Sequence, residues 1–98
     1  MVSIEVINNE TDHRYEIHVD GALAGVAEYR LRPDALVFTH TEVFDAYEGR
    51  GLGSKLARGA LDDARARGAR IRPQCPFMAA YIDRHPAYQD LVVASSGS

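Results

Sequence analysis

The first half of the chain alternates between apolar and polar positions. Val2, Ile4 and Val6 are separated by Ser3 and Glu5, and Tyr15, Ile17 and Val19 by Glu16 and His18. A period of two puts the apolar residues on one face of a strand. Asn8-Asn9 marks a turn after the first run, and Asp20-Gly21 a hairpin after the second. Asp and Gly tolerate the positive φ that a two-residue hairpin loop requires. A third strand is expected over about residues 22 to 31, with Leu23, Tyr29 and Leu31 on one side, before a turn at Pro33-Asp34. A fourth covers about residues 35 to 44. There Leu36, Phe38, His40, Glu42 and Phe44 fall on one face and Val37, Thr39, Thr41 and Val43 on the other. Apolar residues on both faces predict a central strand.

The period then changes. After Gly49-Arg50-Gly51-Leu52-Gly53, the residues Leu52, Leu56, Ala60 and Ala64 recur every fourth position, with Ala57 and Leu61 beside them. That is the stripe of an amphipathic helix. Arg58 with Asp62, and Asp63 with Arg67, form i, i+4 charge pairs on its outer side. Gly59 inside the helix costs roughly 0.5–1 kcal/mol against alanine, so it predicts close packing on the sheet. Gly68 is a C-terminal stop. A short fifth strand over residues 69–72 ends at Pro73, and residues 77–84 form a second helix between Pro76 and Pro86. Leu91, Val92 and Val93 predict a last short strand, and residues 95–98 a frayed tail. The fold class is α+β with one domain over residues 1–94. Its strand–glycine loop–helix–strand core forms a right-handed parallel crossover, followed by the second helix.

Composition narrows the function classes. The chain has 98 residues and a net charge of −3, so a basic nucleic-acid surface is not expected. No run approaches a membrane span, and the N-terminus lacks a secretory pattern. A single cysteine, Cys75, excludes an internal disulfide and points to a reducing cytoplasm. One Cys and four scattered His lack metal-ligand spacing, so no metal is expected. A domain this small has a thin stability margin; a monomer or weak homodimer is expected.

Chemistry shows through at the glycine loop. Three glycines in five positions at a helix start leave backbone N–H groups free to bind phosphate. The P-loop pattern fails because Gly53 is followed by Ser54 before Lys55, and the dinucleotide fingerprint fails because Leu56 stands where its third glycine belongs. Alone, the loop reads equally well as a structural turn. The ordered blocks His40-Thr41-Glu42-Val43, Gly49 to Leu56, Pro73-Gln74-Cys75-Pro76-Phe77 and Arg84-His85-Pro86-Ala87-Tyr88 resemble the GNAT superfamily of acyl-CoA N-acyltransferases. Within it they look like the small stand-alone GNAT-like predicted acetyltransferases. Glu48 departs from the Gln or Arg usual at its place in the superfamily signature.

The resemblance implies acetyl-CoA as cofactor and an amine acceptor, on a peptide or protein. It implies pyrophosphate on the backbone of Gly49, Arg50, Gly51, Leu52, Gly53 and Ser54, and the pantetheine arm beside Val43, Phe44 and Asp45. It also implies that Lys55 and Arg58 lie near the nucleotide phosphate, where they read equally as plain surface. Larger members cover the acceptor side with N-terminal helices, whereas the first residues here are already strand-like, so an open acceptor cleft is expected. His40 and Glu42, two apart on one strand, are candidates for a base and its orienting carboxylate; the bland alternative is a hydrogen-bonded core histidine. Cys75 is a candidate cleft thiol or acyl carrier, or simply a small buried hydrophobe. Tyr81 and Tyr88 are the phenols of the last segment and read as packing. A non-catalytic CoA-binding module is the alternative to an enzyme.

Overall fold

In the computed structural model, which describes residues 2–93, the alternating half of the chain is an antiparallel meander. Its strands are β1 (Ile4–Asn9), β2 (Arg14–Val19), β3 (Ala22–Arg32) and β4 (Ala35–Val43). The β2–β3 hairpin pairs Val19 with Ala22 across Asp20 and Gly21, whose φ values of 50° and 85° are those the sequence asked for. The first turn lies later than expected. Asn8 and Asn9 remain in β1 opposite Tyr15 and Arg14, and residues 10–13 make the turn. Asn9 still directs it, because its Oδ1 accepts the Asp12 N–H at 3.1 Å.

Helix α1 (Leu52–Ala66) follows the glycine loop and leads to β5 (Ile71–Pro73), which pairs parallel with β4. Gly68, at φ 71°, closes α1: its N–H reaches the Arg65 carbonyl at 3.0 Å and the Ala69 N–H reaches that of Ala64 at 2.9 Å. Helix α2 (Pro76–Arg84) starts on its proline. Of the expected last strand, Leu91 ends a 3₁₀ helix, Pro86–Leu91, that starts on its proline. Only Val92 bridges Ile71, and the Val93 N–H donates to the Ile71 carbonyl at 2.9 Å. Ala94 and the expected tail, residues 95–98, lie outside the described residues.

Both helices cover one face of the sheet. Tyr15, Ile17 and Phe38 join Leu56 and Leu61 of α1 and Met78 and Ile82 of α2 in one buried cluster. Gly59 meets the edge strand: a Cβ there would lie 2.7 Å from the Val6 Cβ. Gly59→Ala is therefore expected to destabilise by about 1–3 kcal/mol despite alanine's helix propensity. Chemical denaturation checks this, and Val6→Ala in the same chain should recover part of the loss.

Among the described residues the other sheet face carries no helix. Its one buried charge is Glu16, which accepts from Asn9 at 2.9 Å, from Arg14 at 2.8 Å, and meets His18 Nε2 at 2.9 Å. These partners, the Asn9 amide foremost, hold its carboxyl down at about 2.

Two bulges decide which face each side chain takes. Ala24 is extra in β3, between the Ile17–Gly25 and His18–Leu23 pairs. Thr39 is extra in β4, between Glu28–His40 and Tyr29–Phe38. An unpaired residue resets the alternation. Ala24 and Ala27 are thus both in the core although three apart, whereas Leu31, expected with Tyr29, is 54% exposed near the hairpin tip. On β4 the expected single row breaks. Leu36 and Phe38 face the helices, but His40 and Glu42 turn to the open face, and Thr41, opposite core residue Ala27, takes the helix side.

Candidate active site

Strand β5 ends level with Phe38 of β4. The chain then leaves through Gln74 and Cys75 into α2, tethered by the Cys75 N–H to the Phe38 carbonyl at 2.9 Å. From Thr39 to Val43, β4 therefore runs on along a wedge that no described strand fills. The Phe44 N–H bonds the Ala24 carbonyl of β3 at 2.9 Å. Backbone groups alternate between strand edges, so those of Val43 and Thr41 point into the wedge. An extended amide-bearing chain can pair with them there.

The glycine loop closes one end of that wedge. After a 3₁₀ turn over Asp45–Tyr47, Gly49 and Gly51 take φ values of 82° and 71°, and a Cβ on either would project into open space. Gly51 caps α1 with no side-chain bond, and the first helical bond runs from the Lys55 N–H to its carbonyl at 3.3 Å. The N–H groups of Leu52, Gly53 and Ser54 precede that bond and are left at the positive end of the helix. Leu52 offers only its backbone, because its side chain is core. Gly53 is needed for a different reason: a Cβ there would come within 2.9 Å of the Phe77 ring.

Two grooves flank this helix start. One, of roughly 280 Å³, lies between Val43, Glu48, Gly53, Ser54 and Phe77. The other, of roughly 410 Å³, is bordered by Arg50, Lys55, Arg58 and the Tyr81–His85 ring stack, whose centroids are 4.0 Å apart. Phe44 and Asp45 line neither groove.

The candidate catalytic residues divide between the two faces. His40 Nε2 lies 3.1 Å from Glu42 Oε1 on the open face, both side chains about half exposed. With a carboxylate at Nε2, that nitrogen carries the proton and Nδ1 keeps a lone pair. Cys75 is buried on the helix side, its Sγ 3.4 Å from Thr41 Oγ1. Thr41 was not singled out in the sequence, because a strict two-residue period puts it with Val37 and away from Phe38. Tyr81 is buried. The Tyr88 hydroxyl donates to Asp62 at 2.6 Å, and burial with that carboxylate pushes its phenol up to about 12.

A mixed sheet whose parallel strands splay over a glycine-capped helix start defines the architecture of the N-acetyltransferases. The fold matches a crystal structure of ribosomal-protein-alanine N-acetyltransferase from Brucella melitensis biovar Abortus 2308, with a TM-score of 0.57 at 17% identity, over 100% of this chain and 95% of that one. The family model described as GCN5-related N-acetyl-transferase matches residues 14–91, and the chain belongs to that family. Protein NATD1 from Homo sapiens is 38% identical over 52 residues, which are 53% of this chain and 46% of that protein. The Gallus gallus NATD1 is similar at 38% identity over 53% of this chain and 47% of its own length. The matched segment thus spans about half the length of these curated relatives.

Proposed function

We propose that this chain is an acetyl-CoA-dependent N-acetyltransferase acting on an amine, on a peptide or protein. One observation carries the reading: the open edge of β4 runs from the glycine cradle to the His40–Glu42 pair. The cradle suits a pyrophosphate, since Gly49 and Gly51 leave open space where side chains would stand. Arg50, Lys55 and Arg58 supply positive charge for the nucleotide phosphate, and the backbone of Thr41 and Val43 pairs with the pantetheine amides. When bound, acetyl-CoA supplies a thioester as acyl donor.

The remaining work falls to this chain's own residues. An alkyl amine with a pKa of ~10.4 is protonated near neutral pH and must lose a proton to become nucleophilic. His40 Nδ1 accepts that proton from an amine entering on the open face, and Glu42 steadies the resulting imidazolium. The neutral amine would then attack the thioester carbonyl, a C–N bond forming as the C–S bond breaks and the second amine proton passing to the departing thiolate. A thiol of pKa ~8.5 leaves without needing a strong acid, which agrees with the Tyr88 hydroxyl being committed to Asp62. Cys75 and Thr41 wall the wedge on the helix side. A single cysteine suits a reducing cytoplasm, and a monomer or weak homodimer suffices for this site.

Isothermal titration with acetyl-CoA tests the cofactor, and micromolar binding is expected; silence at high micromolar ligand refutes the reading. Binding without turnover on a broad amine panel would instead support a CoA-binding module, a reading favoured by the commitment of the Tyr88 hydroxyl to Asp62.

A further inference from the structure

A groove of roughly 470 Å³ lies away from the glycine loop, on the open face where β3, β4 and β5 run side by side. Its geometry is set by register. Arg30 stands opposite Val37, and Val37 stands beside Arg72. Two guanidinium-bearing residues therefore flank one valine, which is only 6% exposed and forms an apolar floor. Arg32, opposite Ala35, adds a third guanidinium one row further. Arg72 is paired with Asp34. Among the described residues, Arg30 and Arg32 have no carboxylate within ion-pair distance. In a chain of net charge −3, this is a local positive surface with two uncompensated arginines.

The groove also has a direction. Its far wall is Thr39 and Gln74, the residues immediately before His40 and Cys75. Because Thr39 is bulged, the row of Val37 and the row of His40 are only two residues apart along β3, Arg30 to Glu28, which is ~7 Å at about 3.3 Å each. An extended peptide advances at the same pitch. Arginine forks bind carboxylates in pairs of parallel hydrogen bonds.

We infer that the acceptor is an acidic peptide whose amine enters at His40–Glu42 and whose carboxylates, starting about two residues along, lie between Arg30, Arg32 and Arg72. This rests on the acetyltransferase reading, because that reading fixes where the amine must sit. The closing experiment is a binding measurement, so it decides the inference even for a chain that transfers nothing. A fluorescent peptide with a free amine, two glycines and then three glutamates is titrated by anisotropy, beside one with glutamines in place of the glutamates. The acidic peptide should bind roughly tenfold more tightly at low salt, with the advantage shrinking as salt is raised. Arg30→Gln with Arg32→Gln should abolish the advantage and leave the melting curve and acetyl-CoA affinity unchanged. Equal binding of the two peptides, or an advantage that survives the double substitution, overturns the inference. So does an oligonucleotide of equal charge that binds more tightly than the acidic peptide.

Discussion

Gly51→Val should reduce acetyl-CoA affinity about a hundredfold or more, the largest binding loss expected from any single substitution in this chain. Two effects act together. Gly51 sits at φ 71°, a left-handed conformation that is a genuine outlier for a β-branched residue. Relaxing it tilts the N–H groups of Leu52, Gly53 and Ser54 away from their common direction. Any valine that did hold the native φ would project into the open space at the helix start, the proposed place of the pyrophosphate. Gly51→Ala separates the two effects: a smaller side chain leaves most of the space, so its loss should be smaller and dominated by backbone strain. Titration calorimetry reads the affinity, and thermal melting shows whether the fold persists. If Gly51→Val bound acetyl-CoA as the parent does, the loop would be a structural turn and no cradle.

That experiment rests on a feature the sequence displays openly. A glycine whose only role is positive φ is visible as punctuation between a strand pattern and a helix pattern, and so are Asp20-Gly21 and Gly68. Gly59 was legible too, because a glycine in mid-stripe has to be bought by close packing, and Val6 provides it. The position of β4 between β3 and β5 followed from apolar residues on both faces. What could not be read was the bulge at Thr39. A bulge depends on how two strands pair, and nothing in β4 alone distinguishes Thr39 from Thr41. Missing it puts His40 and Glu42 in the row of Phe38 and hides Thr41 behind it. The Asn8-Asn9 turn misplaced itself for a related reason: Asn9 bonds forward to Asp12 from inside the strand, so its turn chemistry acts at a distance. The pair of arginines across Val37 was likewise invisible, since Arg30 and Arg72 meet only through two strand registers.

The same bulge gives His40→Gln its expected consequence. On the open face His40 is about half exposed and touches Glu42, with no part in the buried cluster. Its replacement should therefore cost little stability, since surface substitutions stay within ~0.5 kcal/mol. Its effect on turnover should be far larger. Glutamine keeps a hydrogen-bonding side chain but cannot take a proton, so kcat should fall roughly 10²- to 10⁴-fold, the usual worth of a positioned base. Acetyl-CoA affinity should not move, because His40 borders neither groove beside the glycine loop. Glu42→Gln should lower kcat less, because the imidazole survives and only its orientation and charge partner are lost. Cys75→Ala discriminates the route. If the amine attacks the thioester directly across the wedge, Cys75→Ala retains most of the activity, and intact-mass measurement of the parent chain with acetyl-CoA shows no adduct. An acetyl adduct on Cys75, with turnover lost in Cys75→Ala and kept in His40→Gln, would move the nucleophile to the helix side of β4 and remove the open-face pair from the chemistry.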